Sequence, residues 1–205
     1  MNWKELLHSD NFEDHLKHIK MVFDKLKAKK LIVSEDKAHF CLKQVKLLGR
    51  IVNSEGIATD PTLIQDTLEF PEPRNPKQAL SFLGLCGVFQ NYIKDYMHIA
   101  GPLYKFSTGK EIWGEAQRTS FQKLKEAMVS APVLKHADFS KDFVIFSDAS
   151  DLAGGAVLAQ EHNGVYFPVS YASWLFKNAE LNYSTTEREM LALIKAVKKV
   201  ARILP

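Results

Sequence analysis

The sequence predicts an α+β protein of several lobes, in which helices come before a small antiparallel sheet with one further helix. Three observations predict this class. Apolar residues recur at helical spacing in residues 12–28 and 115–128, with two proline-opened helices between them. Residues 40–58 have the composition of extended chain. From residue 142, three apolar runs precede a long helical pattern, which predicts three antiparallel strands plus a helix.

The first predicted helix covers residues 12–28 and has one apolar face. That face is formed by Leu16, Ile19, Phe23 and Leu26. Either Asp10 or Asn11 is its expected N-cap, because both side chains accept hydrogen bonds from first-turn amides. In the extended stretch that follows, Gly49 marks a bulge or the close approach of another backbone or a ligand.

Two further helices are predicted to open at Pro61 and Pro76, because proline suits the first helical turn. The first ends near Phe70. The second is longer and mixes small residues with apolar ones, which permits close packing but weakens an isolated helix. Its apolar residues are Leu80, Leu83, Leu85, Val88 and Phe89. Another helix is predicted over residues 115–128.

In the last quarter, residues 143–146 form a continuous apolar run, which predicts a strand buried on both faces. Residues 154–159 are the second predicted strand. The Asn-Gly pair at residues 163–164 predicts a two-residue turn into the third strand. A long helix is then predicted over residues 184–204.

Composition narrows the classes of function. The 205 residues carry a formal net charge of +3, which permits a nucleic-acid partner without requiring one. Cys41 and Cys86 have neither disulfide nor metal-site spacing. The sequence has no signal-peptide core and no apolar run of about 18 residues. We therefore expect an intracellular protein, cytoplasmic or nuclear, that is neither secreted nor in a membrane.

One acid directly follows the first apolar run of the last quarter. Strand alternation puts Asp148 on the face of Val144 and Phe146. Two roles are open for it. Within the turn at residues 148–151 it can bond its own backbone, or it can bind a metal, because hard cations prefer oxygen ligands.

The last helix offers two more acids. Glu187 stands three residues after Ser184, the spacing of a capping box, which gives it a structural role. Glu189 has no such role, and we expect it on a buried side of the helix, where it needs a cation. The buried side is expected to contain Leu193, Ala196 and Val200. The solvent-exposed side is expected to contain Lys195, Lys198, Lys199 and Arg202. One hard cation between Asp148 and Glu189 would serve both acids.

Four motifs of the last quarter resemble, in order, the ribonuclease H domain of gypsy-class LTR retrotransposon Pol polyproteins. They lie at residues 146–150, 155–160, 171–173 and 182–192. Upstream segments resemble the thumb, the connection and the end of the palm of that family's reverse transcriptase. These segments are residues 82–85, 112–113 and 131–134, then 15–19 and 47–52.

The resemblance implies four regions and two reactions. The regions are the end of a palm with a hairpin that grips the primer, a helical thumb, a connection and a truncated ribonuclease H-like domain. Their expected bounds are residues 1–58, 59–106, 107–141 and 142–205. The reactions are templated DNA synthesis and the hydrolysis of RNA in an RNA–DNA hybrid by magnesium ions.

The resemblance also implies roles for individual residues. The family's first catalytic aspartate falls on Asp148 and its helix glutamate on Glu189, so both are implied catalytic residues and Mg²⁺ ligands. The palm hairpin implies that Leu48, Gly49 and Arg50 contact nucleic acid, with Gly49 admitting the strand.

Three lysines are further candidates for contact with nucleic acid. Lys77 and Lys94, on the implied thumb, are expected to meet phosphate. Lys37 falls near a palm lysine that lies close to the phosphates of the incoming nucleotide.

Two departures from the family pattern limit the expected activity. Trp3 and Lys4 stand near the positions of the polymerase aspartate pair, and no Asp-Asp pair occurs in the sequence. The family's third and fourth ribonuclease H acids lie beyond the long helix. We therefore expect a catalytically incomplete fragment that binds Mg²⁺ weakly or not at all, with an open sheet edge and a marginally stable last quarter.

A second hypothesis is a non-catalytic nucleic-acid-binding or scaffolding subunit derived from Pol. In that hypothesis four basic residues meet phosphate with two tyrosines between them, although the same residues also suit a solvated helix face and a core. They are Arg74, Lys77, Lys94 and Lys105, with Tyr92 and Tyr96. A stand-alone protein of unrelated function is the third hypothesis. The expected partners are an RNA–DNA hybrid or primer–template, the rest of Pol and, in a dimer, a second copy.

Overall fold

The computed structural model describes residues 7–9, 11–34, 36, 38–177 and 179–201. Several predictions concern residues outside this set, namely Trp3, Lys4, Asp10, Lys37 and Arg202. The predicted end of the last helix also lies outside it. Within the described ranges, no helix is long and apolar enough to cross a membrane.

Helix α1 spans Phe12–Ala28, as predicted. Its cap is Asn11, whose side chain accepts a hydrogen bond from the amide of Asp14 at 2.9 Å. None of its residues is buried. The apolar face of α1 is therefore present but largely uncovered, although the Phe23 ring contacts the Phe40 ring with 6.2 Å between centroids.

The predicted extended stretch is an antiparallel sheet of three short strands, in the order β1-β2-β3. They are Gln44–Leu47, Arg50–Asn53 and Gly56–Thr59. The prediction of Gly49 inside a strand is wrong. Leu48 and Gly49 form the turn between β1 and β2, with φ angles of 49° and 77°, and a tight turn favours glycine at positive φ.

Four helices follow and share one core. They are α2 (Pro61–Glu69), α3 (Pro76–Gly87), α4 (Tyr96–Ser107) and α5 (Glu115–Val129). The sequence patterns above do not predict α4. The predicted apolar residues of the second proline-opened helix are also partly wrong. Leu80 and Val88 are exposed, whereas Leu83 and Phe89 are buried. The core includes Phe82, Tyr96, Leu103, Phe121, Leu124 and Met128, so it extends across the predicted boundary after residue 106.

The second sheet contains β4 (Val144–Ala149), β5 (Ala153–His162) and β6 (Val165–Leu175), all antiparallel and in that order. Asn163 and Gly164 form the predicted turn, with φ angles of 54° and 79°. The prediction that the first strand is buried on both faces is wrong. Phe146 is 49% exposed, because β4 is an edge strand and its face at Phe146 is only partly covered.

Helix α6 spans Thr185–Val200 and covers one face of this sheet. Ala192 and Ala196 pack there with Ala156 and Trp174. The predicted orientation of the helix is partly wrong, because Leu193 is exposed and Lys195 and Lys199 turn towards the sheet. The Lys195 ammonium pairs with Glu180 at 2.6 Å, and the Lys199 ammonium donates to the Ser173 carbonyl at 2.7 Å. Long basic side chains cover apolar surface with their stems while their charged ends find partners.

The opposite face of the sheet packs on the helical core through α4. The amide of Met97 donates to Ser173 Oγ at 3.0 Å. The amide of Tyr171 donates to the Asn91 carbonyl at 2.9 Å. The sheet therefore lies between α4 and α6.

Candidate functional site

Asp148 lies at the end of β4, on the sheet face that α4 approaches. It is paired with Gly155, and Phe146 with Val157, which agrees with the predicted alternation. Its carboxylate is exposed, and Oδ1 accepts a hydrogen bond from the Ala149 amide at 2.9 Å. Most of the turn capping is done by Ser150, whose hydroxyl bonds with the amide and carbonyl of Ala153. Asp148 therefore keeps acceptor sites for a ligand.

A cleft of about 170 Å³ lies beside Asp148. It is lined by Asp95, His98, Asp148, Ser150, Ala153, Gly154 and Gly155. A Cβ added to Gly155 would overlap Asp95 Oδ1, so the Asp95 carboxylate lies directly over this glycine. His98 Nδ1 and Ser150 Oγ are 3.4 Å apart. Sequence reasoning missed Asp95 and His98, because it did not predict α4.

The two acids at the start of α6 have different surroundings. Glu187 completes the predicted capping box, with Oε2 accepting from the Ser184 amide and hydroxyl at 2.8 Å each. These hydrogen bonds, the backbone one first, lower the pKa of Glu187. Glu189 is exposed and has no hydrogen-bond or ion-pair partner among the described residues. The expectation that burial forces Glu189 to take a cation is therefore wrong, although Glu189 remains free to bind one.

Helix α6 runs antiparallel to β4. Arg188, near its start, reaches Asp151 just after β4, and Val200, at its end, packs near Phe143 and Ile145. The residues from Glu189 to Val200 span about 16 Å, which corresponds to about five residues of a strand. Glu189 is therefore about level with the end of β4, where Asp148 lies.

Glu189 is also turned towards β4. It lies on the same side of the helix as Val200, three turns further on, and Val200 packs near Phe143 and Ile145. Asp148 and α6 are on opposite faces of the sheet, so a cation shared by Asp148 and Glu189 would lie at the free edge of β4. No group of three or more acidic, histidine or cysteine side chains suited to a metal occurs among the described residues.

The residues predicted to contact nucleic acid lie in two places, the β1–β2 turn and the surroundings of α3. Leu48, at the tip of the β1–β2 turn, is 71% exposed. Gly49 faces protein, since a Cβ there would lie 2.5 Å from Leu63 Cδ1. Arg50 stacks over the Tyr92 ring, with 5.7 Å between its guanidinium carbon and the ring centroid. The atom that approaches Gly49 belongs to the Leu63 side chain of α2, so the approach of another backbone or a ligand at this glycine stays a prediction.

Lys77 and Lys94 are exposed at opposite ends of the α3 segment, and neither has a partner among the described residues. Tyr92 and Tyr96 are only 2% and 0% exposed. The idea that these tyrosines interleave with the basic residues at a surface is therefore wrong, and both are core aromatics. Burial raises the pKa of Tyr92, as expected of a phenol removed from water.

Sheet β4–β6 with α6 on one face defines a ribonuclease H-like unit of the kind found in reverse transcriptases. The family model for an RNase H-like domain found in reverse transcriptase matches residues 113–205. The Tf2-3 and Tf2-4 transposon polyproteins of Schizosaccharomyces pombe are each 37% identical over 197 residues, 94% of this chain and 15% of theirs. The chain belongs to the Pol polyproteins of Ty3/gypsy-type LTR retrotransposons.

Solved structures share the fold. One is a foamy viral protease–reverse transcriptase, designated dRH, in complex with double-stranded DNA. The match covers 95% of this chain and 35% of the viral chain, with a TM-score of 0.81 and 25% sequence identity. The foamy viral protease–reverse transcriptase in complex with an RNA/DNA hybrid matches 95% and 27%, with a TM-score of 0.78 and 24% identity. The likeness extends over both the helical core and the second sheet. The chain spans about 15% of the length of its curated relatives.

Proposed function

We propose that the chain forms part of a reverse transcriptase–ribonuclease H of a retrotransposon. In this proposal residues 1–58 are the end of the palm, 59–106 the thumb, 107–141 the connection and 142–205 the ribonuclease H-like part. The observation that carries the proposal is the ion pair of Arg188 with Asp151, which joins the start of α6, where Glu189 lies, to the residues just after β4, which ends with Asp148 and Ala149. The similarity to the Tf2 polyproteins along 94% of the chain supports it.

Asp148 and Glu189 are the residues that would hold Mg²⁺. Both are exposed carboxylates with free acceptor sites, and oxygen ligands are those that Mg²⁺ prefers. When bound, the ion activates water and stabilises the leaving oxygen of the RNA strand. The two side chains would supply the oxygen ligands for the ion. Among the described residues only these two acids are available as ligands, so the site is expected to bind Mg²⁺ weakly.

The 205-residue chain is therefore expected to show little or no hydrolysis of hybrid RNA. The test is a cleavage assay on an RNA–DNA hybrid with Mg²⁺ or Mn²⁺, with Asp148→Asn as the control for contaminating nuclease. Turnover that Asp148→Asn abolishes would contradict catalytic incompleteness and would establish Asp148 as catalytic.

Binding of an RNA–DNA hybrid or primer–template is the second part of the proposal. Leu48 and Arg50 at the hairpin, and Lys77 and Lys94 around α3, would contact the duplex, with Gly49 fixing the turn. Contacts with phosphate make affinity fall with salt. Replacing Lys77 or Lys94 by alanine should reduce the slope of log K against log salt by about 1 each. Lys123→Ala, an exposed lysine on α5, should leave the slope unchanged; equal slopes for all three variants would contradict these contacts.

A non-catalytic nucleic-acid-binding or scaffolding role within Pol is the alternative function. It is favoured by the packing of α4 against the sheet face that carries Asp148. Salt-dependent binding of the hybrid by both the chain and Asp148→Asn, with no cleavage by either, would support this alternative. The rest of Pol, or a second copy in a dimer, would then supply the catalytic groups.

A further inference from the structure

We propose that Arg188 is a positioning residue for Glu189, and that its ion pair with Asp151 holds the start of α6 level with the end of β4. This inference rests on the proposed metal site. Arg188 Nη1 lies 2.6 Å from Asp151 Oδ1, and the two residues are 37 positions apart in the chain. Arg188 directly precedes Glu189, and Asp151 follows Asp148 by three residues. The pair thus joins the two segments that carry the proposed ligands.

Other contacts at this end of α6 restrain its position along β4 less well. Leu191 and the fully buried Ala192 pack against the sheet, and Met190 is 57% exposed. The Ser184–Glu187 capping box lies within the helix start and does not reach the sheet. These contacts are non-directional, whereas the ion pair joins Arg188 to one residue just after β4.

The other polar anchors of α6 lie further along the helix. Within the described ranges these are Lys195, bonded to Glu180, and Lys199, bonded to the Ser173 carbonyl. They come about two and three turns after Arg188, on the same side of the helix. They fix the far end of the helix and leave the Glu189 end to Arg188.

The Arg188 side chain is suited to this role, because it is only 15% exposed although its partner Asp151 is 90% exposed. Its Nε is buried without a hydrogen-bond partner in the described protein atoms. Ion pairs with one exposed partner contribute little to stability. Loss of the pair should therefore leave the fold intact, but a displacement of about 1 Å in a ligand-bearing segment weakens a site strongly.

The experiment measures the affinity of the whole chain for Mn²⁺, with line broadening of the amides of Asp148 and Glu189 as the readout. Arg188→Ala should weaken Mn²⁺ binding by about tenfold, at the lower end of the effect of residues that support metal ligands. Arg188→Lys keeps the charge and should recover most of the affinity. Exchanging the charges, with Arg188→Asp and Asp151→Arg together, should also recover part of it.

Lys195→Ala is the matched control, because it removes another ion pair of the same helix at 2.6 Å. It should leave the affinity for Mn²⁺ unchanged. If Lys195→Ala and Arg188→Ala weaken binding equally, Arg188 acts only on stability and the inference is overturned. If the unaltered chain shows no broadening at Asp148 and Glu189, the proposed metal site itself fails. Broadening that Arg188→Ala leaves unchanged would overturn the role of Arg188 alone.

Discussion

The backbone amide of Met97 donates a hydrogen bond to Ser173 Oγ at 3.0 Å, which joins the first turn of α4 to strand β6. Helix α4 has no cap of its own, because Asp95 at its N-cap position has φ of 55° and makes no capping hydrogen bond. Ser173 thus caps the helix from the neighbouring sheet. The start of α4 and the sheet face that carries Asp148 are held together by this contact.

Ser173→Ala is expected to destabilise the chain by about 1 kcal/mol, the usual effect of losing an N-cap hydroxyl. Hydrogen exchange should show the Met97 amide losing protection before the amides of α5. The control is Ser81→Ala on the exposed side of α3, which should change stability by less than about 0.5 kcal/mol. Unchanged protection at Met97 in Ser173→Ala would contradict a capping role.

Gly56→Ala is expected to destabilise the chain by roughly 2–4 kcal/mol. Gly56 has φ of 151°, and an added Cβ would overlap the Leu134 carbonyl oxygen. The substitution must therefore break the two hydrogen bonds between Ile57 and Leu134, at 2.8 and 3.0 Å. Urea unfolding measures the loss.

The matched control for Gly56 is Gly84→Ala, since Gly84 is helical and has open space around its Cβ position. Gly84→Ala should stabilise the chain by about 0.5–1 kcal/mol. Similar effects of the two substitutions would show that the contact with Leu134 contributes nothing.

Gln160→Met is expected to destabilise the second sheet by about 2–3 kcal/mol, because it leaves buried polar groups without partners. Gln160 is fully buried. Its amide accepts from the Asp138 amide at 2.9 Å and donates to the Asp138 carbonyl at 2.7 Å. Thermal unfolding of this variant is to be compared with Gln122→Met, an exposed position on α5. Equal melting temperatures would mean that the segment around Asp138 is not anchored by Gln160.

The ion pair of Asp60 with Lys46 should make stability depend on pH. Lys46 Nζ lies 2.6 Å from Asp60 Oδ2, and its hydrogen bond holds the pKa of Asp60 below the usual 3.8. A carboxyl whose pKa is lower in the folded state contributes stability above its unfolded pKa and loses it as pH falls through the folded pKa. The stability difference from Asp60→Asn should therefore be constant from pH 7 to about 5 and shrink below that.

Asn is as good an N-cap as Asp, so Asp60→Asn isolates the charge. Lys46→Met should remove the same acid-sensitive part of the stability. Urea midpoints at several pH values provide the measurement. A difference that stays constant down to pH 2 would contradict the assignment to this pair.

Much of the fold could be predicted because its signals are local. The cap at Asn11, the prolines at residues 61 and 76 and the Asn163-Gly164 turn each determine the backbone within a few residues. Helix α4 lacks such a signal. Pro102 lies inside it and its first turn is capped by Ser173, a residue distant in sequence.

The orientation of α6 shows a second limit of sequence reasoning. The sequence predicts that the lysines face water, but Lys195 pairs with Glu180, between β6 and α6, and Lys199 donates to the Ser173 carbonyl of β6. The apolar Leu193 is exposed instead. Period alone cannot choose between two faces when both carry apolar surface, because the stems of lysine side chains also pack. Asp148 and Glu189 were identified by the motifs, but Asp95 and His98 depend on tertiary structure alone.

We propose that Asp148 and Glu189 share one cation at the free edge of β4. A double-mutant cycle of Mn²⁺ affinity tests it most directly, with Asp148→Asn, Glu189→Gln and both together. If the ion is shared, each single change should remove most of the binding and the second should add little, so the effects are strongly non-additive. Additive effects, or affinity unchanged in either single variant, would contradict a shared site.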